Sequence, residues 1–425
     1  MRRSWIIKLT ILVTGIALVL SQLHAADEDK VDFNQQVIPI LADKCFHCHG
    51  PDKEHREADL RLDVREVAIE TGAIVPGDVK KSELLTRLFH EDPDEMMPPA
   101  EAKLGVLTAK EKNILKRWIE QGAEYKKHWS FVEIPKVVDL PKLKGSPSWG
   151  RNEIDAFVLA RLQKEKLQPS PQASRERWLR RVSFDLTGLP PSLSDIDNFL
   201  ADKSGETAYG KVVDRLLKSE AYGERMATDW LDSARYADTF GYQADRLMHV
   251  WPWRDWVIRA FNDNLSYDQF VLWQTAGDLL PNPTLDQRLA TTFNRLHRQT
   301  NEGGSINEEY RIEYVSDRVE TNGTAFLGLT IGCSKCHDHK FDPWTQQGYY
   351  EMSAFFNNID ESGLYSHFTE TAPTPTLLLY EGDQEAKHLA LLKQVANADK
   401  NLDAVRASAK KRFADWRAGG NQGQA

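Results

Sequence analysis

The sequence predicts a mainly α-helical protein: a small cytochrome c-like helical domain, a larger mostly helical domain and a C-terminal helix. Three observations predict it. Apolar residues recur at helical spacing, as in Phe33, Val37, Ile40 and Leu41. Helix ends are marked, as by the Thr108-x-x-Glu111 capping box and Gly122. Strand-like alternation is scarce.

In chain order, the first element is a leader. Arg2, Arg3 and Lys8 precede the apolar run Ile11–Leu20, then come Ala25, Ala26 and the acidic residues Asp27–Asp29. That order predicts a secretory signal peptide over residues 1–25. An uncleaved anchor is the rival, but Ser21, Gln22 and His24 leave the run short of the about 20 apolar residues a membrane helix needs. The remaining chain is expected to be exported, periplasmic or at the cell surface, and not integral to the membrane after cleavage.

Residues 30–127 form the first helical domain. Its opening helix is expected to be short or kinked at Pro39. Its closing helix places Ile114, Leu115, Trp118 and Ile119 on one face. Residues 128–150 read as a linker, with Pro135, Pro141 and Pro147. Residues 151–360 form the larger domain, with stripes at Ile154, Phe157, Val158 and Leu162 and at Val212, Val213, Leu216 and Leu217. Leu186 to Pro191 reads as a turn. The tail, 361–425, carries an amphipathic or coiled-coil helix through Leu389, Leu392, Val395 and Leu402.

The formal net charge is −9, and −12 without the three leader cations. That argues against nucleic acid, whose binders carry basic patches. The four cysteines are more telling. Cys45 and Cys48 precede His49, and Cys333 and Cys336 precede His337, so Cys-x-x-Cys-His occurs twice. Two cysteines three apart on one helical turn can form thioethers with the two vinyl groups of one porphyrin. The next histidine then lies under the iron. The motif therefore predicts covalent haem c at each site. A four-cysteine zinc site would need far closer pairs, and a thiol–disulfide site would need a thioredoxin-like βαβ context.

A sixth ligand for the first haem is expected from Met96-Met97-Pro98-Pro99, with Met97 ahead of Met96. A thioether is soft and uncharged, and prolines stiffen the loop that carries it. Gap-filling core methionine is the alternative. For the second haem, His297 is the expected distal ligand, since His339 stands too near His337, His249 sits in an aromatic stretch and His367 lies past the domain. An ordinary surface histidine is the alternative reading there.

Residues 31–131 resemble the planctomycete-type cytochrome c domain. The resemblance is carried by Cys45-Phe46-His47-Cys48-His49-Gly50-Pro51, Leu60-Arg61-Leu62-Asp63, Val75-Pro76-Gly77-Asp78, Met97-Pro98-Pro99 and His128-Trp129-Ser130-Phe131. Residues 151–360 resemble the helical domain of unknown function that follows it in that family, through Leu186-Thr187-Gly188-Leu189-Pro190-Pro191, Trp230 to Asp238, Asn301-Glu302-Gly303-Gly304 and Gly332 to Pro343. Members usually continue into a further large C-terminal domain, which this sequence is expected to lack.

Other constellations have plainer readings. Phe240, Tyr242, Trp251, Trp253 and Trp256 could stack on sugars, and the resemblance adds a possible link to a polysaccharide- or glycan-degrading system; aromatic core is the bland alternative. Glu302, Glu308 and Glu309 read as a solvated face, and His339 as a loop or propionate partner. His47, His55 and His128 read as surface or supporting residues. The expected function is an exported di-haem electron carrier with an unidentified redox partner. A haem-dependent oxidoreductase, peroxidase-like or linked to polysaccharide breakdown, and a haem-bearing docking scaffold are the alternatives.

Overall fold

The computed structural model describes residues 30–143, 149–242, 244–365 and 372–419. The leader, Pro147 and His367 lie outside them. Among the described residues the fold is mainly α, with helices throughout and only two isolated β-bridges. None of these helices is long and apolar enough to cross a membrane. The chain divides into two compact units, the first ending at Thr369.

Phe33, Val37, Ile40 and Leu41 are all buried, as their spacing requires. Pro39 divides this segment: a π-helical turn, Phe33–Val37, gives way to the helix Ile38–Lys44, with proline in its first turn. Proline has no N–H to donate and is tolerated only there. The helix Ala109–Glu120 is closed at its start by the reciprocal Thr108–Glu111 capping box. Just beyond its end Gly122 adopts φ +100°, a left-handed conformation that suits glycine. Leu115, Trp118 and Ile119 form the floor of the first core, with Phe33 and Tyr125 against Trp118 at ring separations of 5.6 and 5.2 Å. Each such buried side chain contributes about 1.5–3 kcal/mol.

The expected stripe at Ile154, Phe157 and Val158 does not face the core. Within the helix Glu153–Lys164 those three are exposed and Leu159 is the buried residue. In Glu206–Leu217 the buried line is Ala208, Val212 and Leu216, while Leu217 is exposed. These pack with Leu179 and Phe199 of the preceding helices. The helices Glu220–Ser233 and Trp251–Asn262 cross closely at Gly223, where an added Cβ would stand 2.4 Å from the Ile258 carbonyl oxygen. Asn307–Asn322 is the most enclosed helix of this domain, burying Tyr314, Arg318 and Val319.

The aromatic stretch is core. Phe240, Trp253 and Trp256 are buried, and Trp253 donates its indole N–H to the Ala290 carbonyl at 3.1 Å. Trp251 stays exposed. The second unit holds one long helix, Gln384–Ala418, with no buried residue; Leu389, Leu392, Val395 and Leu402 all face solvent.

Candidate haem sites

The two Cys-x-x-Cys-His motifs fold into the same turn. In the first, the amides of Cys48 and His49 both donate to the Cys45 carbonyl, at 3.2 and 2.8 Å. In the second, Cys336 and His337 both donate to the Cys333 carbonyl, at 3.2 and 3.4 Å. The two motifs thus share one backbone hydrogen-bond pattern.

Each histidine is anchored alike. His49 Nδ1 donates to the Glu57 carbonyl at 3.3 Å, and His337 Nδ1 to the Asp338 carbonyl at 2.8 Å. A carbonyl only accepts, so Nδ1 carries the proton and Nε2 keeps its lone pair. That is the arrangement a metal-bound imidazole requires. Burial lowers the pKa of His49, favouring the neutral ring, and pushes the Cys45 thiol up to about 12.

Beside the first motif lies a cavity of about 350 Å³. Cys45, Cys48 and His49 line it, as do Met97, Pro98 and Pro99, over an apolar wall that includes Leu60, Leu62 and Leu84. Met96 does not line it. The Met97 amide donates to the Arg87 carbonyl at 3.1 Å, tying the loop to the helix Glu83–Leu88. Two thiols, a neutral imidazole and a thioether around one largely apolar cavity fit a covalently attached haem.

Residues 45–101 match the family model for Planctomycete cytochrome C. This stretch is similar to a planctomycete cytochrome C domain. Behind this domain, residues 153–361 match the PSCyt2 model, described as a protein of unknown function (DUF1549). No curated protein and no solved structure matches the chain. The cytochrome domain implies haem c held by thioethers, and the cavity supplies the residues for it.

The second motif lies against the cytochrome domain. Cys333 and Cys336 are exposed. His337 lines a cleft of about 300 Å³ whose other wall is built from the cytochrome domain, including Phe46, His47 and His55. Two polar pairs span the junction. Lys340 Nζ stands 2.8 Å from Asp43 Oδ1, and His128 Nε2 stands 3.1 Å from Asp342 Oδ1. The first is half exposed and contributes at most about 1 kcal/mol. His128, at the start of the expected linker, is therefore a junction residue. His339 is a loop residue: its Nδ1 accepts from the amides of Phe341 and Asp342 at 3.2 and 2.8 Å.

His297 is not brought to the second motif. It is buried with both ring nitrogens engaged: Nδ1 donates to the Arg298 carbonyl at 2.9 Å, and Nε2 accepts from Arg318 Nη2 at 2.7 Å. No lone pair is left for iron, which corrects the expectation of a distal ligand. Arg318 in turn pairs with Glu361, Nη2 to Oε2 at 2.6 Å, and all three side chains are essentially inaccessible. Glu302, Glu308 and Glu309 are exposed, and Glu308 pairs with Arg311.

This buried network makes stability depend on pH. Burial depresses His297 to about 4, with the neighbouring Arg318 adding to it against the opposing pull of Glu361. A histidine with a folded pKa below its unfolded 6.5 binds protons preferentially in the unfolded chain. Its contribution is fully present above about pH 6.5 and is lost as pH falls towards 4. Thermal melts between pH 7 and 4 should show the midpoint falling in that window, and His297→Gln should flatten the slope. A wild-type midpoint constant from pH 6.5 to 4 would contradict this.

Proposed function

We propose that the chain is an exported c-type electron carrier with two covalent haems. The first is held by Cys45, Cys48, His49 and Met97, the second by Cys333, Cys336 and His337. The observation that carries this reading is the shared cleft: the loop after His337 and the turn between Cys45 and Cys48 line one cavity. Bound haem supplies one-electron redox chemistry between ferric and ferrous iron. The protein fixes each proximal imidazole in its ligating tautomer, gives the first site a soft axial group and holds the two motifs side by side. An unidentified redox partner outside the cytoplasm would exchange electrons with it.

Anaerobic reductive titration of the matured protein should take up two electrons per chain in separate steps. Cys48→Ala and Cys336→Ala should each remove one step. Uptake of a single electron by the wild type would overturn the two-haem reading.

A further inference from the structure

The long helix Gln384–Ala418 buries none of its 35 residues, although most helices in proteins draw their stability from packing one face. Its apolar residues are not scattered. Leu391, Val395, Ala398, Leu402, Val405 and Ala409 follow one another at alternating steps of four and three. That is the seam of a left-handed coiled coil, with Leu391, Ala398 and Val405 at d and Val395, Leu402 and Ala409 at a. The same steps continue to Arg412 and Trp416, so the seam runs for about 38 Å at about 1.5 Å per residue. All of these residues are exposed in the single chain. We propose that a second copy of the same helix, lying antiparallel, covers this seam, and that the protein is a homodimer joined through its tail.

Charge decides the direction. Side by side in parallel, each d position meets its own copy, which sets Arg412 against Arg412 inside the seam. The flanking e positions, Leu392, Asp399, Arg406 and Phe413, would then face the g positions, and Asp399 and Arg406 would meet only Gln394 and Asn401. In the antiparallel arrangement each a position meets a d position of the copy. With the whole seam overlapped, Leu402 lies on Val405, Ala398 on Ala409, and Leu391 on Trp416 of the second copy. Val395 meets the aliphatic stem of Arg412, whose charged head reaches water at the edge. Along the flank, Asp399 faces Arg406 of the second copy and Leu392 faces Phe413. Two-fold symmetry makes every one of these contacts twice.

Charge also decides the register. Sliding the antiparallel pair by one heptad sets Asp399 against Asp399 in one direction and Arg406 against Arg406 in the other. Only the full overlap joins opposite charges. Within its own helix Arg406 stands 3.9 Å from Asp403, beyond hydrogen-bond reach, which leaves the guanidinium free to turn to the copy.

The test is sedimentation equilibrium of the full chain at low ionic strength, where exposed charges act most strongly. The wild type should have twice the chain mass. Leu402→Asp/Val405→Asp should have the single chain mass, because each central layer would hold two carboxylates. Asp399→Arg should weaken the dimer about tenfold, since two attractive pairs become repulsive. Adding Arg406→Asp to that variant should restore the wild-type affinity, a rescue that a parallel pair would not show. Every residue replaced is exposed, so the rest of the fold stays intact. A wild type of single chain mass would overturn the proposal and leave the seam to a different partner. A dimer untouched by Leu402→Asp/Val405→Asp would overturn it as well. So would an Asp399→Arg/Arg406→Asp chain that dimerises no more tightly than Asp399→Arg.

Discussion

Arg318→Ala is expected to lower the stability of the larger domain by about 3–5 kcal/mol, because it takes the closest partner from a buried carboxylate. Arg318 is fully buried and serves three partners: Glu361 through a two-pronged pair, the Asn294 carbonyl through Nε at 2.5 Å, and His297. Burial pushes the Glu361 carboxyl up, but the neighbouring His297 and the paired Arg318 outweigh it and bring it to about 2. At neutral pH the removal of Arg318 leaves this buried charge with only the longer pair to Arg295 Nη1 at 3.3 Å. For a unit of this size the loss corresponds to a fall in Tm of roughly 6–20 °C. Glu361→Gln in the same background should recover part of it, since the two sites are coupled. Lys340→Ala, at a half-exposed pair, should change stability by less than about 1 kcal/mol. A thermal melt in which Arg318→Ala and Lys340→Ala behave alike would contradict this account of the network.

Met97→Ala should abolish the weak near-infrared band of Met–Fe(III) ligation and lower the potential of the first haem. The soft thioether favours ferrous iron. Its loss should cost on the order of a tenth of a volt, within the roughly 0.8 V that axial ligands span. Met96→Ala should leave the band in place, because Met97 and not Met96 lines the cavity with Cys45, Cys48 and His49. Spectroscopy of the two single variants reads this directly. A band that survives Met97→Ala removes Met97 as a ligand.

What could be read from the sequence was the chemistry that is local in the chain. Thioether attachment needs two thiols and an imidazole on one turn, so Cys45, Cys48 and His49 sit within five residues, as do Cys333, Cys336 and His337. The capping box at Thr108 and the stop at Gly122 are equally local, and both appear in the fold. Periodicity told less. Ile154, Phe157 and Val158 make a fair helical stripe, yet a stripe says nothing about whether another element covers it, and here they are exposed. The same limit holds for the tail helix.

Long-range partners were invisible. His297 looked available because its sequence neighbours are polar, but its partners Arg318 and Glu361 lie 21 and 64 positions away. The junction pair Lys340–Asp43 joins residues 297 positions apart. His47 and His55 accordingly read as surface residues, and only the fold sets them opposite His337.

The most direct measurement is the intact mass of the chain under denaturing conditions, after maturation in a host that assembles c-type haem. Denaturation releases any haem held only by axial ligands and leaves those bound through thioethers. The account predicts the polypeptide plus two haems, falling to one in Cys45→Ala/Cys48→Ala and to one in Cys333→Ala/Cys336→Ala. A wild-type mass with a single haem, unchanged when Cys333 and Cys336 are replaced, would contradict it.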